Sequence, residues 1–306
     1  QNKRYKYILI IPLTFFKLIH RVILFLIFGV SHLHFTEIIN QLPQLKIFKD
    51  NTYNIKISYR YQKFNEEIPI LFLHGFNGNS KSWAYQFHYF KGRRSVIAID
   101  APGFGQSDSS DLDMLSISNV VYNLLKSIDV TKCDLVGHSM GGMLAQIVAS
   151  KHSKLINKVI LSCTHKGYAM PVGSSLRDPY KLRLEERKQM SNKEFGQLRI
   201  QKMLPELKNP EIFNFLSLIS EEITEGSIKS GGMAMQTLDT TDYLSNLKQD
   251  CLILKGSKDI VVSKERSYQL ENLLRHAKIR EIPNVGHAPY CEDTKTFNAE
   301  VENFFQ

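Results

Sequence analysis

Residues 134–145, Asp-Leu-Val-Gly-His-Ser-Met-Gly-Gly-Met-Leu-Ala, constrain this chain more than any other stretch. An apolar run precedes the glycines and an alanine-rich helical pattern follows them, so the segment reads as strand, sharp turn, helix. Within it, Gly137-x-Ser139-x-Gly141 puts a serine at the turn. Gly137 and Gly141 carry no side chain, which lets strand and helix approach closely. A serine raised on such a turn stands above the carboxyl end of a sheet, near the free N–H groups and positive pole of the next helix. A serine that only caps a helix is the plainer reading of the same residues. The strand–turn–helix order is what favours a nucleophile.

The surrounding chain supplies a sheet for that turn. Residues 45–48 and 55–61 alternate apolar and polar side chains around Asp50-Asn51 and predict an antiparallel hairpin at a sheet edge. Residues 68–74, 95–100, 133–137, 158–162, 251–255 and 278–282 predict further strands, the first of them a continuous apolar run of the buried kind. Helical patterns fall between them at 80–90, 116–128, 140–151, 264–275 and 294–305. This is the alternation of an α/β fold: an eight-stranded, mostly parallel sheet with helices on both faces. Over residues 166–235 the strand-like runs stop, and charged helical segments appear at 180–190, 193–204 and 210–219. The expected division is a core over residues 41–165 and 236–306, with 166–235 inserted as a helical cap.

Residues 1–40 stand apart from this pattern. Residues 5–30 are strongly apolar, and residues 1–36 hold Lys3, Arg4, Lys6, Lys17 and Arg21 with no acid. They contribute +5 of the formal net charge of +9, leaving a mild +4 on the rest. That distribution predicts membrane association through residues 5–30, as a spanning or interfacial anchor with a basic flank. An exported chain with a cleaved leader, or a cytoplasmic one with this segment packed on its own body, are the alternatives. The chain starts at Gln1, so the expectation includes a start upstream of it. No basic stripe interleaved with aromatics is present, which excludes a nucleic-acid binder. Cys133, Cys163, Cys251 and Cys291 are isolated and lack metal-ligand spacing, so neither a disulfide framework nor a metal site is expected.

A serine hydroxyl becomes a good nucleophile only beside a base, and the base needs an acid to orient it. Asp259, in Gly256-Ser-Lys-Asp259, follows the predicted strand 251–255. His287, in Asn284-Val-Gly-His287, follows the predicted strand 278–282. Both therefore fall at carboxyl ends of late strands, on the edge expected for Ser139, in the chain order Ser, acid, His. Backbone N–H groups of Met140 and Phe76 are the expected oxyanion donors, with His74 supporting the second loop. Asp100 and Asp108, at the two ends of a Pro-Gly loop, invite a catalytic reading. His138 is expected beneath the turn, and Trp83 in the core. Met140, Met143, Met170, Met233 and Met235 are candidates for an apolar pocket lining.

The chain resembles the α/β-hydrolase superfamily in His74-Gly75-Phe76, Asp100-Ala-Pro-Gly-Phe-Gly-Gln-Ser107, Gly137-His-Ser-Met-Gly141, Gly256-Ser-Lys-Asp259 and Gly286-His287. These motifs span residues 45–306. The resemblance is to the group of enol-lactonases, carrier-ester esterases, C–C bond hydrolases and cofactor-free haloperoxidases with a helical cap. It implies no metal, no organic cofactor and a small-molecule acyl substrate. Ser139 at the turn argues against the branches that use a carboxylate nucleophile. The expected reaction is hydrolysis of an ester or lactone through an acyl-enzyme. C–C bond hydrolysis of a diketone is the alternative chemistry, and a non-catalytic receptor on the same fold the alternative class.

Overall fold

The computed structural model describes residues 34–65 and 67–306. The expected anchor at residues 5–30 lies outside them. Among the described residues no helix is long and apolar enough to cross a membrane.

A short helix α1 (Phe35–Asn40) leads into strand β1 (Leu45–Asp50). Asp50 makes the turn that follows, its Oδ1 accepting the N–H groups of Thr52 and Tyr53 at 2.8 and 3.1 Å. Strand β2 (Ile55–Gln62) returns antiparallel. Then come β3 (Ile70–Leu73), a 3₁₀ turn (Ser80–Trp83), α2 (Ala84–Phe90), β4 (Val96–Ile99), α3 (Met114–Ser127), β5 (Cys133–His138), α4 (Met140–Lys151) and β6 (Ile156–Ser162). Four helices follow: α5 (Asp178–Gln189), α6 (Asn192–Met203), α7 (Pro210–Ser220) and α8 (Glu225–Gln236). A short α9 (Thr241–Ser245) leads to β7 (Asp250–Gly256), α10 (Lys264–Leu273), β8 (Lys278–Ile282), α11 (Pro289–Glu292) and α12 (Thr294–Phe305).

The eight strands form one sheet in the order β1-β2-β4-β3-β5-β6-β7-β8. The pairs β1–β2 and β2–β4 are antiparallel and all others parallel, as the strand–helix alternation predicts. The central strands are apolar on both faces. Leu71 and Leu73 face one core cluster, with Ile97, Ile99 and the apolar sides of α3 and α4. Ile70 and Phe72 face the other, with Val96, Ala98, Trp83 and Phe297. Trp83 is wholly buried, its ring 4.7 Å from Phe72 and 5.0 Å from Tyr290. The order reverses around β3, which lies between β4 and β5. The loops after β3 and β5 therefore open a crevice at the carboxyl edge of the sheet.

Two details depart from the expected elements. The helix expected over 80–90 is broken, because Asn79 caps a 3₁₀ turn before α2 begins. The 166–235 stretch holds a fourth helix, α8, beyond the three the charge pattern predicts. Its ends meet, with Gly167 bridging Asp239 and the Thr240 N–H bonded to the Lys166 carbonyl at 2.9 Å. Tyr180 of α5 and Ile228 of α8 join one core cluster, Phe215 of α7 the other, so these helices cover the carboxyl edge from both sides.

Candidate active site

Ser139 sits between β5 and α4 with φ +52° and ψ −116°, a conformation a side-chain-bearing residue adopts at a cost. The neighbouring packing holds it there. A Cβ on Gly137 would lie 2.4 Å from the Gly141 carbonyl oxygen, and one on Gly141 would lie 2.2 Å from that of Leu73. Strand, turn and helix are thus in backbone contact that glycine alone permits. The Ser139 N–H donates to Ser162 O at 2.9 Å, and Thr164 Oγ1 donates to Ser139 O at 2.7 Å.

Asp259 and His287 arrive on the loops after β7 and β8. Glycine brings these loops together too: a Cβ on Gly256 would lie 2.0 Å from the Gly286 carbonyl oxygen. His287 Nδ1 lies 2.9 Å from Asp259 Oδ2, and His287 Nε2 lies 3.0 Å from Ser139 Oγ. A carboxylate only accepts, so Nδ1 carries the proton and the Nε2 lone pair faces the serine hydroxyl. Burial alone would push the Asp259 carboxyl up. The charge and hydrogen bond of His287, with the N–H groups of Val262 and Val261, outweigh burial and hold it below its ordinary range.

Phe76 and Met140 flank Ser139. A Cβ on Gly75 would lie 3.2 Å from Ser139 Cβ, so the loop after β3 runs directly over the serine. No protein acceptor for the Phe76 or Met140 N–H is found among the described residues, as an oxyanion site requires. His74 braces the loop. Its Nε2 accepts the Ala101 N–H at 2.9 Å, which leaves Nδ1–H to donate to Gly75 O at 2.8 Å. Burial lowers its pKa and keeps it neutral in that role. His138 lies beneath the turn, its ring 4.9 Å from that of His287, and burial with the adjacent His287 holds it well below its ordinary value. Asp100 accepts from Ser58 Oγ and Ser80 N, and Asp108 from Lys56 N, both outside this cluster.

Several neighbours carry no motif. Glu292 accepts the Gly286 N–H at 2.9 Å and the Ala288 N–H at 2.8 Å, gripping the backbone on either side of His287. Cys163 lies beside Asp259, and burial with that carboxylate pushes its thiol well up. Cys163, Asp259 and His287 offer donor atoms within 4.8 Å of one another. A protonated thiol and an imidazole already bonded to its carboxylate are poor metal ligands. A cavity of about 250 Å³ opens over Ser139 and His287, walled by Met143, His165, Met235 and four cationic side chains. Met143 and Met235 are the two of the five candidate methionines that line it.

A parallel sheet wrapped by helices, with serine, histidine and carboxylate at its carboxyl edge, is the architecture of an α/β-fold hydrolase. The family described as alpha/beta hydrolase fold matches residues 68–200. The AB hydrolase superfamily protein YisY of Bacillus subtilis (strain 168) is 27% identical over 270 residues, covering 82% of this chain and 97% of that protein. The enol-lactonase from Burkholderia xenovorans LB400 has the same fold, with a TM-score of 0.74 at 16% identity over 85% of this chain and 99% of its own. A thermophilic esterase from Thermogutta terrifontis matches with a TM-score of 0.72 at 21% identity, over 86% and 98%. The chain has the α/β-hydrolase fold, and these matches support a hydrolase of the α/β-hydrolase superfamily.

Proposed function

We propose that this enzyme hydrolyses a carboxylic ester or lactone through an acyl-enzyme on Ser139. The supporting observation is the line of hydrogen-bonding contacts from Ser139 Oγ to His287 and on to Asp259, at 3.0 and 2.9 Å. Ser139 Oγ attacks the carbonyl carbon while His287 Nε2 takes its proton. Asp259 holds the opposite N–H and stabilises the imidazolium. Negative charge collects on the former carbonyl oxygen, where the Phe76 and Met140 N–H groups receive it. The tetrahedral centre collapses, and His287 gives its proton to the departing alkoxide. Water then enters, loses a proton to His287 and attacks the acyl carbon. Ser139 leaves as the hydroxyl and the acid is released.

Ser139→Ala removes the nucleophile without disturbing the fold. Turnover of p-nitrophenyl acetate should fall by about 10⁴–10⁶-fold. A fluorophosphonate should label the wild-type serine and leave the variant unlabelled. Retained turnover in Ser139→Ala would refute the assignment.

A further inference from the structure

Among the described residues, the cavity over Ser139 is lined by Arg177, Arg183, Arg199 and Lys202 and by no carboxylate. Two of these cations have a carboxylate partner, and Arg177 is only half-buried. Arg177 lies over the Tyr168 ring, 3.8 Å from its centroid. Arg199 and Lys202 both pair with Glu186, one acid between two bases. Arg183 is different. Its Nε and Nη1 are fully buried and meet no acceptor. Its guanidinium lies 4.6 Å from the centroid of the Phe76 ring, beside the loop assigned to the oxyanion. A ring face attracts a cation but leaves its N–H groups without lone pairs to bond.

A guanidinium buried without acceptors destabilises a fold. Burial and the neighbouring Arg199 push its pKa down to about 10, so at neutral pH the group keeps its charge. A cavity that holds unsatisfied donors and an excess of positive charge, with nearby Glu186 shared by Arg199 and Lys202, is complementary to an anion. A planar carboxylate is the acyl-compatible anion that the guanidinium fork matches best. The cavity, of about 250 Å³, suits a short acid.

We propose, resting on the acyl-transfer reading above, that the substrate is an ester or lactone whose acyl part bears a second, free carboxylate, and that Arg183 binds it. Binding to Ser139→Ala protein tests the site without using the reaction. Calorimetry should show monomethyl glutarate binding at least tenfold more tightly than dimethyl glutarate. Arg183→Met in that background should abolish the difference, and Arg183→Lys should restore part of it. Equal affinity for the two esters, or indifference to Arg183→Met, overturns the proposal. Turnover separates the two readings. With Ser139 intact, kcat/KM for p-nitrophenyl hemiglutarate should exceed that for p-nitrophenyl pentanoate at least tenfold, carried by KM, and Arg183→Met should bring the ratio near one. Equal hydrolysis of both esters sinks the carboxylate site and leaves the esterase standing. Hydrolysis of neither, with the binding preference intact, sinks the esterase alone. Arg183→Met should also hold or raise the melting temperature. A fall in melting temperature with unchanged ester preference marks Arg183 as a packing residue and overturns the proposal.

Discussion

Glu292 shows what the position of His287 depends on. Its two carboxylate oxygens each take one N–H, from Gly286 and Ala288, and the imidazole lies between those anchors. Burial pushes the Glu292 carboxyl up, and the two N–H bonds offset this only in part. Glu292→Ala leaves two N–H groups to find new acceptors at about 1–3 kcal/mol each. It should also let His287 drift from Ser139. We expect kcat on a short ester to fall by about tenfold with little change in KM, since a shift of about 1 Å at a reacting group is costly. Glu292→Gln, with one acceptor left, should lie between the two. A KM effect without a kcat effect would show that Glu292 does not position the base. Ser139, Asp259 and His287 are legible in the chain because each has its own turn, strand end and place in the order. Glu292 and Arg183 are not, because one acts on backbone N–H groups and the other on empty space, and neither leaves a spacing to read.

Helix α8 makes the same point for an element. Its sequence, Glu-Gly-Ser-Ile-Lys-Ser-Gly-Gly-Met-Ala-Met-Gln, carries three glycines and reads poorly as a helix. Thr224 caps it, with Ser227 returning the bond, but tertiary contact is what fixes it. A Cβ on Gly231 would lie 2.7 Å from Phe76 Cε2, and one on Gly232 would lie 3.1 Å from the Tyr180 ring. Gly231, one of the glycines that weaken the helix signal, is the one that lets α8 press on Phe76. The sheet strands, by contrast, are legible as apolar runs because both their faces are buried. Gly231→Ala sets two effects against each other. Helix propensity gains up to about 1 kcal/mol, and crowding against Phe76 costs about 1–3 kcal/mol. Stability should change little or fall slightly, while kcat should fall several-fold as the Phe76 backbone shifts. Gly226→Ala, whose Cβ would meet only Ser109 Oγ at 3.3 Å and Thr224 Oγ1 at 3.5 Å, should leave kcat unchanged. Equal kcat values for the two variants, measured on p-nitrophenyl acetate, would detach α8 from the oxyanion loop.

Across the whole molecule, buried histidines link the fold's stability to the state of the site. His74, His138 and His165 are all nearly inaccessible to solvent. Burial lowers each of them, His165 to about 4 with help from the Arg266 charge. The unfolded chain takes up these protons near pH 6.5, before the folded protein does. Their contribution is therefore whole above about pH 6.5 and is lost as pH falls toward the folded values, at up to about 1.4 kcal/mol per pH unit for each group. The lowered Asp259 carboxyl acts in a separate window, adding stability above about pH 4 and losing it below. Unfolding free energy measured with urea should fall between pH 7 and pH 5 as the unfolded chain takes up these histidine protons. All three histidines adjoin the site: His74 braces the Phe76 loop, His138 lies against His287, and His165 lines the cavity. Below pH 6, ester turnover and stability should decline together for that reason. His165→Gln keeps a polar neighbour for Gly167 and removes one proton site, so its stability should depend less steeply on pH over that window. A urea midpoint that stays level from pH 7 to pH 5 in the wild-type protein would mean these histidines titrate alike in both states.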